Sequence, residues 1–119
     1  MSIEENALPE NTLLSSVLDS LTEPVLVGDT DHKVIYMNRA AAAHYTGGEE
    51  LMGTSLLDCH NENSQKIMIE VLEALRSGED ERLIFESDDK RIYMRAVRDG
   101  EGALIGYYER YERPMKHPE

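Results

Sequence analysis

The spacing of apolar residues changes along this chain, and that change constrains the fold more than any other feature. In the segment "NSQKIMIEVLEALR", Met68, Val71, Leu72 and Leu75 recur at the intervals of three and four residues that an amphipathic helix requires. Beyond Gly78 the period falls to two in the segments "RLIFES", "RIYMRAVR" and "ALIGYYERYE". The turn sequence "DGEG" separates the last two segments. The pattern predicts one long helix followed by a three-stranded antiparallel meander.

The last predicted strand has two further features. Gly106 interrupts its apolar pattern, which indicates either a bulge or a close backbone approach. Alternation places Tyr107 and Tyr111 on one face and Tyr108 on the other.

A second hairpin is predicted near the N-terminus. The segment "EPVLVGDTDHKVIYMN" contains two short apolar runs separated by turn-forming Gly and Asp residues. The next segment, "RAAAAH", predicts a helix that begins after the capping residue Asn38 and ends before Gly47. The segments "EELMG" and "TSLLD" predict single helical turns. Five strands with helices on one side predict an α+β domain with a single antiparallel sheet.

A flanking amphipathic helix is predicted over residues 11–22, with Asn11 or Thr12 as its cap. Its apolar stripe is narrow and consists of Leu13, Leu14, Val17, Leu18 and Leu21. Such a stripe packs either on its own domain or against a second copy of the chain. We expect the second arrangement, a homodimer through residues 13–21.

Charge and cysteine content exclude several classes of partner and compartment. The 119 residues fit one domain, and 12 basic against 24 acidic residues leave a net charge of −12. This field repels nucleic acid and acidic membrane surfaces, so we expect neither as a partner. One cysteine permits no intrachain disulfide, and no apolar run is long enough to cross a bilayer. The expected location is the cytoplasm, and the chain is either a whole protein or a soluble piece of a larger one.

The stretch "DCHNENS" holds the only cysteine, and it has three interpretations. In the structural one, Asn61, Asn63 or Ser64 caps the long helix, Cys59 packs as a small hydrophobe and His60 bonds to nearby backbone. In the second, His60 or Cys59 is an axial ligand of haem. In the third, the pair is catalytic. Adjacent residues in an extended segment point to opposite sides, so the spacing argues against a Cys–His dyad.

Other catalytic and metal sites have less support in the sequence. A zinc site lacks a second cysteine, and His32, His44 and His117 are scattered. An isomerase on a cone-shaped α+β fold would need an isolated carboxylate that faces an apolar cavity. Nearly all acidic residues fall in predicted turns or on solvated helix faces, so we identify no such carboxylate and predict that the protein is not an enzyme.

The order of the elements, together with three stretches, resembles the PAS family over roughly residues 13–112. The stretches are "PVLVGDTDHKVIYMNRAAAAHYTG", "EELMGTSLLD" and "RAVRDGEGALIGYYERYE". The resemblance implies a five-stranded sheet with helices over one face, and a sensory or interaction module. It also implies a PAS-like domain over residues 23–112, between a disordered N-terminus (1–10), the flanking helix and a C-terminal tail (113–119). Family members often dimerise through an N-terminal helix, and some bind haem, flavin or small metabolites.

The resemblance implies a ligand pocket between helices and sheet. The candidate residues are His60, Cys59, Asn38, Tyr45, Met68, Val71 and Met94. The sheet is expected to present Val27, Ile35, Phe85 and Met94 to the long helix. With one Phe and no Trp, the mid-sized side chains leave two alternatives, a fully packed core or a gap that accepts an apolar ligand.

The sequence does not identify a cofactor; among the candidates, haem ranks ahead of a flavin or a small apolar metabolite. Haem-binding family members that use a histidine often place it on the long helix, whereas residues 65–77 contain none. The chain carries no recognisable kinase, cyclase or DNA-binding segment, so its output is expected to be a separate signalling protein.

Overall fold

The computed structural model describes residues 10–113, and its elements follow the predicted order. The predicted terminal segments therefore lie almost wholly outside the described residues. The elements are α1 (Glu10–Asp19), β1 (Leu26–Gly28), β2 (Val34–Met37), α2 (Arg39–His44), two 3-10 turns (Gly48–Leu51 and Leu56–Cys59), α3 (Glu62–Arg76), β3 (Glu81–Glu86), β4 (Arg91–Arg98) and β5 (Leu104–Glu112).

The five strands form one antiparallel sheet in the order β2-β1-β5-β4-β3. The N-terminal hairpin and the C-terminal meander meet where β1 pairs with β5. The predicted α+β architecture, with one five-stranded antiparallel sheet, is confirmed.

Helix α3 covers one face of this sheet and buries its predicted apolar stripe. Met68, Val71, Leu72 and Leu75 are all buried. The sheet contributes Leu26, Val34, Met94 and Tyr107 to the same core. No helix in the described part of the chain is long and apolar enough to cross a membrane.

The predicted inward faces of β1 and β2 need correction. Val27 is only half-buried and Ile35 is 49% exposed, while their neighbours Leu26 and Val34 pack in the core. Strands β1 and β2 have three and four residues and carry apolar side chains on both faces, so alternation alone does not choose the inner face. In β3 the pairing register shifts between Leu83 and Phe85, so Ile84 packs against the core while Phe85, although 48% exposed, pairs with Ile92.

Gly106 fulfils both predictions made for it. Val97 pairs with Gly106 and Arg98 pairs with Leu104, so Ile105 is an extra residue in β5. A Cβ atom at position 106 would overlap the carbonyl oxygen of Gly28 on β1. The absence of a side chain lets the two strands pair at the centre of the sheet.

Helix α1 ends earlier than predicted, and the rest of the domain binds its C-terminal end. It ends at Asp19, and Asn11 and Thr12 lie inside the helix instead of capping it. The side chain of Asn38 donates a hydrogen bond from Nδ2 to the carbonyl oxygen of Leu18 at 2.8 Å. The same oxygen accepts a local hydrogen bond from Leu21 N at 3.2 Å, so the helix end is held both locally and by the domain.

The apolar stripe of α1 does not pack on its own domain. Leu13, Leu14 and Val17 are each at least half exposed, and Leu21, beyond the helix end, is 44% exposed. Only Leu18 is half-buried. The stripe is therefore available to a partner.

Candidate functional site

A cavity of about 280 Å³ lies between the N-terminal half of α3, the inward face of the meander and the end of α2. A smaller void of about 60 Å³ adjoins it and shares three of its lining residues, Tyr45, His60 and Glu109. The main cavity has apolar walls formed by Ile67, Met68, Ile84, Phe85 and Ile92. Its polar residues are Tyr45, His60, Ser64, Glu109 and Tyr111.

The carboxyl group of Glu109 is the main polar feature of the cavity. Alternation along β5 places Glu109 between Tyr107 and Tyr111 on the face that α3 covers. The Tyr111 hydroxyl donates a hydrogen bond to Oε2 of Glu109 at 3.4 Å, and the hydroxyls of Tyr45 and Tyr111 are 3.0 Å apart. Because the Tyr111 proton is directed at Glu109, Tyr45 donates to Tyr111. The three groups form a hydrogen-bonded chain from α2 to β5.

Burial and hydrogen bonding have opposite effects on the pKa of Glu109. Burial raises the pKa of Glu109, while the nearby His60, the two tyrosine hydroxyls and Lys90 lower it. Burial prevails, so the pKa lies above its ordinary value. Burial together with the nearby Glu109 raises the pKa of Tyr45. The pKa of Tyr111 is also raised, chiefly by burial. Both phenols therefore stay protonated and act as donors near neutral pH.

His60 has a structural bond and also lines the cavity. Its Nδ1 lies 2.7 Å from the carbonyl oxygen of Leu56. A carbonyl only accepts, so Nδ1 carries the proton and Nε2 is the nitrogen left for other interactions. The predicted bond from His60 to nearby backbone is confirmed.

The turn around His60 is held by caps on both sides. Oδ1 of Asn61 accepts a hydrogen bond from the backbone N–H of Ser64 at 2.9 Å, so Asn61 is the predicted cap of α3. The Gln65 side chain donates to the carbonyl oxygens of Leu57 and His60. Cys59 ends the preceding 3-10 turn, and its side chain lies outside the part of the chain that the structure describes. The structural interpretation of "DCHNENS" is confirmed for Asn61 and His60.

The structure divides the other predicted pocket residues into two groups. Tyr45 and Met68 line the cavity with His60. Val71 and Met94 are buried at 3% and 0% exposure and belong to the packed core, so they do not line the cavity. Asn38 is 1% exposed and also lies away from the cavity.

Asn38 uses its whole amide group to join four parts of the backbone. Oδ1 accepts hydrogen bonds from Val25 N and Ala41 N, both at 2.9 Å. Nδ2 donates to the carbonyl oxygens of Leu18 at 2.8 Å and Glu23 at 3.1 Å. The predicted cap of α2 is therefore confirmed, and the same side chain ties α1 to β1 and α2.

The statement that no carboxylate faces an apolar cavity was wrong, because Glu109 does. The alternation that placed Tyr107 and Tyr111 on one face also places Glu109 there, so the signal was present in the sequence. Glu109 was missed because acidic residues are usually solvated. Neither Tyr111 nor Ser64 was predicted to line the cavity.

The size of the cavity argues against haem and flavin. A volume of about 280 Å³ lies just below the range of roughly 300–1,000 Å³ typical of sites for drug-sized ligands. Haem and flavins are large planar groups that need more space than this. Within residues 10–113, no three His, Cys, Asp or Glu side chains are grouped to hold a metal ion. The cavity suits a smaller ligand with an apolar body and one polar end.

Comparisons with known proteins agree with the fold. A family model described as PAS fold matches residues 12–106. The structure is similar to the C-terminal domain of a protein from Streptococcus mutans, with a TM-score of 0.71 and 22% identity over 91% of this chain and 87% of that one. It is also similar to the PAS domain of BvgS from Bordetella pertussis, with a TM-score of 0.64 and 13% identity over 90% and 88% of the two chains. A sensory box sensor histidine kinase from Vibrio cholerae matches with a TM-score of 0.63 and 14% identity, over 89% and 93%. No curated protein matches the chain in sequence.

Proposed function

Because this chain belongs to the PAS-fold family, we propose that it is a sensory signalling module that binds a small ligand in the cavity around Glu109. PAS domains are typical of sensory proteins, and a similar fold occurs in the sensor histidine kinase from Vibrio cholerae. The single cysteine favours a reducing compartment, so the proposed location is the cytoplasm.

The observation that carries the proposal is a polar cluster inside an apolar cavity. Burial of a carboxyl group is unfavourable and is usually compensated by a specific partner or by a functional role. Glu109 has hydrogen bonds from the protein on one side and the apolar cavity on the other. This arrangement suits a ligand whose polar end meets the carboxyl group and whose apolar body fills the space beside Ile67 and Ile92.

The structure offers a short connection from the cavity to α1. Tyr45, at the C-terminal end of α2, lines the cavity and donates to Tyr111. At the other end of α2, Oδ1 of Asp19 accepts a hydrogen bond from Arg39 N at 2.7 Å, and Asn38 holds the last turn of α1. We propose that a ligand which moves Tyr45 shifts α2, and that α2 moves α1.

Helix α1 is the proposed output surface. Its exposed apolar stripe suits a homodimer, in which a shift of α1 in one protomer changes its contact with the other. A separate signalling protein would then respond to the altered dimer.

A second candidate function, a small-molecule isomerase, is favoured by the same carboxyl group. Such an enzyme would use Glu109 as its base and would need a hydrogen-bond donor for the developing oxyanion. The Tyr45 hydroxyl donates to Tyr111, and the Tyr111 hydroxyl donates to Glu109. Since neither proton is directed at a substrate, the sensory function ranks first and the protein is proposed not to be an enzyme.

The test uses a library of small amphipathic compounds in a thermal-shift assay, with two matched variants. Ser64 lines the cavity and Asn63 is exposed beside it, so Ser64→Leu fills the cavity and Asn63→Leu does not. A ligand at 100 times its Kd stabilises the native state by about 2.7 kcal/mol. We expect this stabilisation in the wild type and in Asn63→Leu, and its loss in Ser64→Leu. A shift that persists in Ser64→Leu, or no shift from any compound, would contradict the proposal.

The relay is tested by hydrogen exchange on the same samples. A ligand that stabilises the protein should change the exchange rates of α1 amides, and Asp19→Ala should reduce that change without removing binding. Unchanged exchange in α1 on ligand binding would rule out the relay.

A further inference from the structure

We infer that the ligand of this cavity is a small organic cation, an ammonium group on an apolar body, and that the chain's own Lys90 competes with it for the aromatic rings at the cavity mouth. The inference rests on the proposed ligand-binding function and names the chemical class that the site would select.

The lining of the cavity combines one carboxyl group with three aromatic rings. Glu109 lies next to Tyr45 and Tyr111, and Phe85 lies at the rim, 48% exposed. The face of an aromatic ring carries negative electrostatic potential and attracts cations, most strongly where water is excluded. Glu109 adds a full negative charge when it is ionised. Rings together with one carboxylate therefore suit an ammonium group better than a neutral or anionic one.

Lys90 shows that these rings accept an ammonium group. Its Nζ lies 5.6 Å from the centroid of the Phe85 ring and 5.9 Å from that of Tyr111. Both distances are within the range of a cation–π interaction. Both rings also line the cavity, so an entering cation would meet the same two rings. Lys90 lies in the turn between β3 and β4, which lets its side chain move aside.

An anionic ligand is the main alternative, because basic side chains lie outside the mouth. Lys90 and Arg113 line a separate surface cleft that shares Tyr111 with the cavity. Inside the cavity, however, an anion would face the carboxyl group of Glu109, which accepts a hydrogen bond from the Tyr111 hydroxyl. The net charge of −12 also raises the local concentration of cations over anions. The interior of the site and the field of the whole chain both favour the cation.

The experiment compares three probes of nearly equal size by isothermal titration calorimetry at pH 7.5. The probes are 2-phenylethylammonium, 2-phenylethanol and 3-phenylpropanoate. A hydrogen bond to a charged group is stronger than a neutral one by roughly 1 kcal/mol, so we expect the ammonium to bind about fivefold more tightly than the alcohol. Glu109→Gln should remove that preference. Glu70→Gln makes the same charge change on the exposed face of α3 and should keep it.

Lys90→Met tests the competition directly. Removal of the competing ammonium should tighten 2-phenylethylammonium binding by roughly threefold, as expected for a partly exposed cation–π contact. Lys33→Met, in the β1–β2 turn, makes the same charge change without contact to the rings and should have a smaller effect. Equal effects of the two variants would overturn the role of Lys90.

The outcomes separate this inference from the proposed function. Binding of the alcohol or the propanoate at least as tight as that of the ammonium, blocked by Ser64→Leu, would overturn the cation class and leave the ligand-binding function standing. An ammonium preference that persists in Glu109→Gln would overturn the role of the carboxylate. Failure of all three probes to bind would count against both the cation inference and the ligand-binding function.

Discussion

At the scale of single residues, Glu109 combines two opposing effects in one carboxyl group. Burial favours its neutral form, whereas the nearby His60 and the tyrosine hydroxyls favour its ionised form, and the balance raises its pKa. An acid whose pKa is raised by folding binds more protons in the folded state than in the unfolded state. Stability is therefore lost as pH rises from the unfolded value of about 4.3 through the raised folded value.

We expect Glu109→Gln to raise the Tm at pH 7, because glutamine matches the shape of the neutral acid and carries no buried charge. The gain should shrink as pH falls toward about 4, where the wild-type carboxyl group is itself protonated. Comparison of the two proteins isolates Glu109, since His32, whose pKa is lowered by burial, is present in both. Calorimetric scans from pH 4 to 8 measure the difference, and one that grows as pH falls would contradict the expectation.

Gly106 allows a prediction about backbone packing at the centre of the sheet. Gly106→Ala places a methyl group against the Gly28 carbonyl, and backbone cannot rotate away as a side chain can. We expect a loss of about 3 kcal/mol, at the upper end of the range for overpacking. Gly100→Ala, in the turn before β5, meets no atom within 4 Å and is the control. Urea unfolding of both variants measures the difference, and similar midpoints would mean that the strands separate easily.

At the scale of secondary-structure elements, two asparagine caps have different structural roles. Asn61 caps α3 with a single local bond to Ser64 N. Asn38 caps α2 and also holds α1 and β1 through its remaining hydrogen bonds. One cap stabilises a helix, whereas the other joins elements that are far apart in the sequence.

The two caps should respond differently to alanine. Asn61→Ala should cost about 1 kcal/mol, the usual loss for an N-cap. Asn38→Ala should cost about 3 kcal/mol, because it leaves several buried backbone groups without partners. It should also speed hydrogen exchange in α1, while Asn61→Ala should not. Equal effects of the two substitutions on α1 would show that Asn38 does not anchor it.

How far the sequence predicted the structure depends on the length of each element and on how local its contacts are. Helix α3 has 15 residues with a strong period, and its buried stripe was predicted residue by residue. Strands β1 and β2 are too short to specify a face, so Ile35 was placed on the wrong side. The cap at Asn38 was local and predictable, but its bond to Leu18 spans 20 residues and was not. Alternation along β5 gives the face of Glu109, but its burial also depends on packing against α2 and α3, which the strand pattern does not specify.

At the scale of the whole molecule, charge and apolar surface oppose each other. Each chain carries a net charge of −12, which repels a second copy. Helix α1 nevertheless leaves Leu13, Leu14 and Val17 at least half exposed, and burial of these side chains favours association. A dimer through α1 would thus be held together by apolar burial against electrostatic repulsion.

This balance predicts both the effect of mutation and the effect of salt on the proposed homodimer. Leu14→Asp combined with Val17→Asp should shift the protein to monomer in sedimentation velocity, because it places charges in the apolar stripe. Replacing Leu18 is less informative, since Leu18 is half-buried against its own domain. Ser16→Asp adds one charge to an exposed polar position of α1 and should weaken the dimer only slightly.

Salt separates an apolar interface from an ionic one. Screening weakens the repulsion between two chains of charge −12, so the dimer should become tighter from 0.05 to 0.5 M NaCl. An interface held by ion pairs would weaken over the same range, which would locate the contact away from the α1 stripe. A wild-type protein that is monomeric at high micromolar concentration even in 0.5 M NaCl would rule out the homodimer, and the relay through α1 would then need a different partner protein.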